Sequence, residues 1–256
     1  RSVVRDPGVR LDLALQNGRV GWESGRAGRA RQTGAVSTPD ISLPDDLLPG
    51  DGRFGCGPSK IRKDSFDMLI GSAGHFLGTS HRQAAVRFKV SELRNGLAEL
   101  FSLPDGYEVL LGNGGTTAFW DAATFGLIDS RSQHVQFGEF SSKFAKAAAA
   151  APHLGDPEVI STKPGHHPTA VPMDGIDAYC LTHNETSTGV AMPLERPHGT
   201  DGDALVLVDA TSAAGGLRFD AAQTDVYYFA PQKCLASDGG LWLAACSPAA
   251  IERIER

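Results

Sequence analysis

The stretch that decides the fold is residues 107–125, Tyr107-Glu-Val-Leu-Leu-Gly-Asn-Gly-Gly-Thr-Thr-Ala-Phe-Trp-Asp-Ala-Ala-Thr-Phe125. Its first five residues, 107–111, are mostly apolar or β-favouring and predict a strand. Glycines then interrupt the pattern, and the residues from Thr116 to Phe125 favour a helix. A strand that runs through a glycine turn into a helix is a typical unit of α/β proteins.

The same alternation continues on both sides of this stretch. Before it, apolar residues at helical spacing predict a helix over 84–101: Val86, Val90, Leu93, Leu97 and Leu100. After it, the Ala-rich run 141–151 predicts another helix, and four short apolar runs predict strands: 178–182, 204–208, 226–229 and 241–245. The order predicts an α/β fold, a mainly parallel sheet flanked by helices in three α/β/α layers.

Composition and charge exclude several classes of protein. The chain has 256 residues, of which 41% are hydrophobic and 21% charged, so disorder of the whole chain is excluded. A net charge of −6 argues against a nucleic-acid partner, and the absence of any apolar stretch of ~18 residues argues against a membrane protein. We predict no metal site, because the four cysteines lack CxxC spacing and the His166-His167 pair has no further ligands at useful spacing. The scattered cysteines also predict a reducing compartment, and therefore a cytoplasmic protein.

The N-terminal part has a different composition from the rest. Residues 1–34 hold seven Arg and three acidic residues, a net charge of +4 against −10 for the remainder. We interpret 1–34 as a disordered or non-native extension, since it has no apolar signal core and no apolar run longer than Leu13-Ala-Leu15. Residues 35–60, rich in Pro, Asp and Gly, form a leading segment before the periodic pattern begins.

Three features lie just after predicted strands, where parallel sheets bind ligands. The turn Gly112-Asn-Gly-Gly-Thr-Thr117 offers backbone N–H groups and hydroxyls to an anion, although it is neither a P-loop nor a complete GxGxxG motif. Asp209 ends a strand, where it serves a ligand or caps the next helix. Lys233 stands between apolar neighbours, where it forms a Schiff base or extends to the surface. Together an anion site, an Asp and a Lys are the parts of a pyridoxal phosphate site.

Residues 50–256 resemble the phosphoserine aminotransferases, pyridoxal phosphate enzymes of fold type I, and most closely their actinobacterial branch. Eight blocks in order carry the resemblance: Arg53-Phe-Gly-Cys-Gly-Pro-Ser-Lys60, Gly78-Thr-Ser-His-Arg82, Glu99-Leu-Phe-Ser-Leu-Pro-Asp-Gly-Tyr-Glu-Val109, Leu111-Gly-Asn-Gly-Gly115, Phe137-Gly-Glu-Phe140, His183-Asn-Glu-Thr-Ser-Thr-Gly189, Asp209-Ala-Thr-Ser212 and Tyr228-Phe-Ala-Pro-Gln-Lys-Cys-Leu-Ala-Ser-Asp-Gly-Gly-Leu-Trp242.

The resemblance implies a role for each matching position. Lys233 is the catalytic residue and holds the cofactor, Asp209 binds its ring nitrogen, and Phe140 stacks on its ring. The remaining cofactor ligands are Thr116, Thr117 and Gln232 for the phosphate and Thr186 for the phenolic oxygen. Arg82 binds the substrate α-carboxylate, and His81 is a second candidate for substrate binding.

The resemblance also implies a reaction, a domain layout and an assembly. The reaction moves an amino group from L-glutamate to 3-phosphohydroxypyruvate in serine biosynthesis, with a related reaction in pyridoxine biosynthesis. Residues 61–256 correspond to an incomplete large domain without the family's C-terminal small domain, and the family forms homodimers. Three alternatives stay open: a cofactor-binding fragment without activity, another class-V aminotransferase, and a nucleotide-binding Rossmann domain.

Overall fold

The computed structural model describes residues 42–48, 57–199 and 203–256. The chain divides into two units, residues 1–50 and 51–256. In the first unit, the described residues contain one short 3-10 turn, Asp45–Leu47. The predicted extension, residues 1–34, lies outside the described residues, as do 35–41 and 49–56 of the leading segment.

The second unit is built on a seven-stranded sheet. Its strands are β1 (Glu108–Asn113), β2 (Ser132–Gln136), β3 (Glu158–Ser161), β4 (Ala178–Thr182), β7 (Leu205–Asp209), β8 (Val226–Phe229) and β9 (Leu241–Cys246). Their order is β1-β9-β8-β7-β4-β2-β3. The pairs from β8 through β3 are parallel, and β9 is antiparallel to both β8 and β1. A separate two-stranded hairpin joins β5 (Asn184–Glu185) to β6 (Val190–Ala191).

Five helices accompany the sheet: α1 (Lys63–Phe76), α2 (Ala84–Leu100), α3 (Gly115–Gly126), α4 (Glu139–Ala150) and α5 (Pro248–Ile254). One face of the sheet shares a core with α3, α4 and α5, while Leu97 of α2 belongs to the core on the other face. The alternation within β7 shows this division, because Val206 and Val208 lie in one core and Leu205 and Leu207 in the other. Among the described helices, none combines the length and apolar character that a membrane crossing needs.

The predicted mainly parallel α/β fold is confirmed. The predicted helices and strands agree with the observed ones to within two residues at either end. The pattern missed α1, β2, β3 and the hairpin. In β2 the reason is its polar composition: Gln133 is buried because its side-chain amide exchanges two hydrogen bonds of 2.9 Å with the backbone of Val171.

The topology creates two distinct edges of the sheet. The residues that follow β1, β2, β4, β7 and β8 gather at one edge, which we call the carboxyl edge. The residues that precede β2, β4, β7 and β8 gather at the other, which we call the amino edge. In open α/β sheets the carboxyl edge is the usual place for a ligand.

Candidate functional site

A cavity of about 230 Å³ opens at the carboxyl edge. All seven residues that the sequence nominates as cofactor ligands line it: Thr116, Thr117, Phe140, Thr186, Asp209, Gln232 and Lys233. Six further residues complete its wall: Trp120, Lys143, Thr182, Asn184, Thr211 and Ser212. The cavity is smaller than the ~300–1,000 Å³ typical of small-molecule pockets, so its volume suits a compact ligand.

The two predicted substrate ligands lie elsewhere. Arg82 and His81 are exposed in the segment between α1 and α2, and neither lines the cavity. His81 borders a separate surface groove together with Arg87 and Arg94 of α2. The structure therefore brings the predicted cofactor ligands together but leaves the predicted substrate ligands outside their cavity.

The first turn of α3 forms one end of the cavity. Gly114 precedes this helix with φ +102°, a conformation that favours glycine, and a Cβ at this position would lie 2.7 Å from the Ala118 Cβ. Thr116 and Thr117 are the second and third residues of α3, and the N–H groups of a first helical turn have no partner within the helix. Both the free N–H groups and the helix dipole favour an anion at this end.

Asp209 lies at the end of β7 and is buried. Its Oδ1 accepts hydrogen bonds from the backbone N–H of Thr211 at 2.9 Å and from the Thr211 hydroxyl at 2.6 Å. Burial raises its pKa, as does the nearby charge of Glu185, while the bonds from Thr211 and from Trp120 lower it. None of the ion pairs between described residues includes Asp209. A positively charged ligand group beside this carboxylate would favour its ionised form.

Lys233 is half-buried in the loop after β8, and the segment 57–59 lies against it. A Cβ added at Gly57, where φ is +136°, would lie only 2.5 Å from the Lys233 Cδ and 2.6 Å from its Nζ. The backbone N–H of Ser59 donates to the Gln232 carbonyl at 2.7 Å, and its hydroxyl donates to the carbonyls of Gln232 and Lys233. Thus the Gly-Pro-Ser part of the leading segment fixes both the backbone and the side-chain path of Lys233.

Two other polar groups face the cavity. The Gln232 Oε1 is buried and accepts no hydrogen bond from the described residues. The Thr186 hydroxyl and the Asn184 amide both donate to the Ser212 Oγ at 2.8 Å, and that hydroxyl donates to the Asn184 carbonyl at 3.0 Å. Because its proton is engaged with Ser212, Thr186 presents its remaining lone pairs as acceptors.

Phe140 supplies the aromatic wall. It lies in the first turn of α4, lines the cavity and is 38% exposed, so one part of the ring is open to a ligand. Lys143, one turn further along α4, places its Nζ 5.3 Å from the centre of the Phe140 ring.

Sequence reasoning missed some residues of this site. Trp120 is buried in the core and also lines the cavity, and its Nε1 donates to the Tyr228 hydroxyl at 3.1 Å. Its position four residues after Thr116, on the same helical face, was the available signal. No sequence signal indicated Glu185, whose carboxylate meets the start of α4 from another part of the chain.

Comparison with known proteins gives consistent matches. Residues 158–254 match the family model of class-V aminotransferases. The chain is 64% identical over 217 residues to a phosphoserine aminotransferase of Nocardioides sp. strain JS614, covering 84% of this chain and 58% of that protein. It is 57% identical over 215 residues to one from Corynebacterium glutamicum strain R, covering 84% and 57%. The chain thus spans a little under three fifths of these relatives' length.

Solved structures agree with the sequence matches. A phosphoserine aminotransferase from Cytophaga hutchinsonii superposes with a TM-score of 0.71 at 27% identity, over 78% of this chain and 56% of that one. This match confirms the predicted α/β fold, which the chain shares with part of that protein.

Proposed function

Because this chain is a homologue of the phosphoserine aminotransferases, we propose that it forms the cofactor-binding part of a pyridoxal phosphate-dependent aminotransferase. Its reaction would exchange an amino group between L-glutamate and 3-phosphohydroxypyruvate, giving 2-oxoglutarate and O-phospho-L-serine. The observation that carries the proposal is the meeting of Lys233, Asp209 and the first turn of α3 around one small cavity.

The residues present fit pyridoxal phosphate. The cofactor needs an anion site, an amine for covalent attachment and a carboxylate for its ring nitrogen. The first turn of α3, Lys233 and Asp209 offer these three groups around the cavity. The buried Asp209 carboxylate, which has no ion pair among the described residues, also favours a ligand that brings a positive charge.

When bound, pyridoxal phosphate supplies an electron sink for the carbon that carries the exchanged amino group. Asp209 would keep the ring nitrogen protonated, which strengthens that sink. The Lys233 amine would hold the cofactor covalently and would move the proton at the substrate Cα. Phe140 would stack on the ring, worth ~0.5–1.5 kcal/mol beyond burial, and Thr186 would contact the phenolic oxygen.

The proposals for substrate binding and biological role rest on residue chemistry and on the resemblance, not on the cavity. Arg82 is proposed for the substrate α-carboxylate because a planar guanidinium binds carboxylates in bidentate fashion, and His81 for the substrate side chain. Assembly as a homodimer, a place in serine biosynthesis and a further reaction in pyridoxine biosynthesis follow from the resemblance, and a cytoplasmic location from the cysteine pattern.

One observation favours a second function, cofactor binding without transamination. The exposed positions of Arg82 and His81 leave the described cavity without the predicted substrate ligands. A chain with this arrangement would bind pyridoxal phosphate through Lys233 but would not react with glutamate.

The visible absorption spectrum separates the two functions. We expect purified chain mixed with pyridoxal phosphate to develop the violet-blue band of a lysine-bound cofactor, and glutamate to remove that band. A band that glutamate leaves unchanged would favour cofactor binding alone. Lys233→Ala should show no such band, whereas Lys146→Ala, an exposed lysine of α4, should behave like the wild type. A band that persists in Lys233→Ala would contradict the assignment of Lys233.

A further inference from the structure

Glu185 is a fully buried carboxylate that no part of the proposed reaction uses. It lies in β5, next to the cavity-lining Thr186. One of its oxygens accepts the backbone N–H and the hydroxyl of Ser141, at 2.8 and 2.9 Å. The other accepts the N–H of Phe140 at 3.3 Å, and the N–H and hydroxyl of Ser187 at 3.3 and 2.7 Å.

These bonds cap α4 from another part of the chain. Phe140 and Ser141 are the second and third residues of the helix, so Glu185 satisfies two N–H groups that have no partner within it. The Ser187 hydroxyl accepts the N–H of Glu139, the first residue, at 2.9 Å. The segment 185–187 therefore holds the whole first turn of α4, the turn that carries Phe140.

The preceding residue leaves room for this contact. A Cβ at Gly138 would lie 2.3 Å from the Glu185 Cγ and 2.5 Å from the Ser187 hydroxyl oxygen. The backbone of Gly138 is extended, with φ −179°, so close approach rather than an unusual conformation calls for glycine there. The sequence Phe137-Gly-Glu-Phe140 thus fits closely over Glu185.

The Glu185 carboxylate also influences Asp209 through its negative charge. Burial by itself raises the pKa of Glu185, yet hydrogen bonds from Ser141, Ser187 and Phe140 bring it below its ordinary value, so the group is ionised at neutral pH. Its negative charge acts on Asp209, which lines the cavity, and raises the pKa of that carboxyl. Two coupled buried carboxylates favour a ligand that places a positive charge beside Asp209.

We propose that Glu185 is a positioning residue for the cofactor: it fixes Phe140 against the segment of Thr186 and adds negative potential beside Asp209. The inference rests on the proposed function, because both effects act on a bound pyridoxal phosphate. Glu185 touches the cavity wall from behind and does not line the cavity.

The test is a titration of the chain with pyridoxal phosphate, followed by visible circular dichroism of the bound cofactor. Glu185→Gln keeps the shape but removes the charge and turns one acceptor into a donor that faces N–H or O–H groups. We expect its dissociation constant for pyridoxal phosphate to rise ~10-fold, the size of one charge-assisted hydrogen bond, and the dichroism per bound cofactor to fall. Ser187→Ala keeps the carboxylate and loses two of these bonds, and should raise the constant ~3-fold.

Asp225→Asn is the matched control, since Asp225 is a buried carboxylate at the amino edge that also accepts a backbone N–H and a hydroxyl. It should lower the unfolding temperature while leaving the dichroism per bound cofactor unchanged. Unchanged affinity and dichroism in Glu185→Gln, or in Ser187→Ala if Glu185→Gln does not fold, overturn the inference alone. Equal losses of dichroism in Asp225→Asn and Glu185→Gln also overturn it. A wild-type chain that gives no lysine-bound cofactor band overturns the proposed function and this inference with it.

Discussion

The two edges of the sheet treat their buried charges in opposite ways. At the amino edge, Asp225 binds Arg196 at 2.6 Å and accepts the backbone N–H of Val206 and the Ser247 hydroxyl. The buried Arg253 guanidinium lies 3.2 Å from the Asp129 carboxylate and donates to three backbone carbonyls. At the carboxyl edge, by contrast, Asp209 has no ion pair among the described residues.

This difference separates the charged residues that stabilise the fold from those that are available to a ligand. Charges that the protein neutralises itself hold elements together, whereas charges that it leaves to a ligand weaken the ligand-free fold. We therefore expect substitutions at the amino edge to change unfolding and substitutions at the carboxyl edge to change cofactor binding.

Arg253→Ala should lower the free energy of unfolding by the largest amount. Removing a buried partner leaves carbonyls and the Asp177 carboxylate at the amino edge without their cation, and such losses cost ~3–5 kcal/mol in free energy of unfolding. Denaturant unfolding measures it. Arg131→Ala, which removes a half-exposed pair with Glu158, should cost less than ~1 kcal/mol. Equal costs for the two variants would show that burial at this edge does not matter.

Asp209→Asn should weaken cofactor binding without lowering the free energy of unfolding of the ligand-free chain. Losing a charge-assisted hydrogen bond to the ring nitrogen costs ~1.5–3 kcal/mol, which is a 10- to 100-fold weaker affinity for pyridoxal phosphate. The ligand-free chain should not lose stability, because the substitution removes a buried charge that lacks an ion pair. Spectroscopic titration and unfolding of the ligand-free chain are the measurements. A destabilised ligand-free chain with unchanged affinity for pyridoxal phosphate would show that Asp209 stabilises the fold, as the charged residues of the amino edge do.

Gly57→Ala tests one contact at the carboxyl edge, that of residue 57 with the Lys233 side chain. The new Cβ would collide with the Lys233 side chain, and a left-handed backbone at a non-glycine residue costs ~1–3 kcal/mol. We expect weaker covalent attachment of the cofactor, seen as a smaller visible band at a given pyridoxal phosphate concentration. Gly165→Ala is the control, since φ there is +89° but no atom lies within 4 Å. If both variants lose the band equally, backbone strain rather than contact with Lys233 is responsible.

The pH dependence of ligand-free stability should give the smallest effect. Because the pKa of Asp209 is raised in the fold, the folded chain binds more protons than the unfolded chain between the ordinary pKa of Asp, about 3.9, and the raised value. The free energy of unfolding should therefore fall, relative to Asp209→Asn, as the pH rises through this window. Unfolding curves of both proteins across the window measure it. A difference that grows with rising pH in favour of the wild type would contradict the assigned direction.

Much of this site was accessible to sequence reasoning because its parts are local. The turn before α3, Asp209 and Lys233 each follow a strand that a short apolar run predicts, and the carboxyl edge brings such positions together. Glu185 was not accessible, because its importance comes from contacts with Ser141 and Phe140, more than forty residues away. The same holds for Gly57, whose contact with Lys233 no local pattern contains.

The mainly parallel α/β architecture and the proposed site residues could be predicted from sequence, since apolar periodicity and residue type are local properties of the chain. Three further points required the folded chain. The tertiary structure shows that β9 runs antiparallel, that all seven nominated ligands share one cavity, and that Arg82 and His81 lie outside it. These depend on which distant segments meet, and that is fixed by burial of apolar surface and satisfaction of backbone hydrogen bonds across the whole sheet.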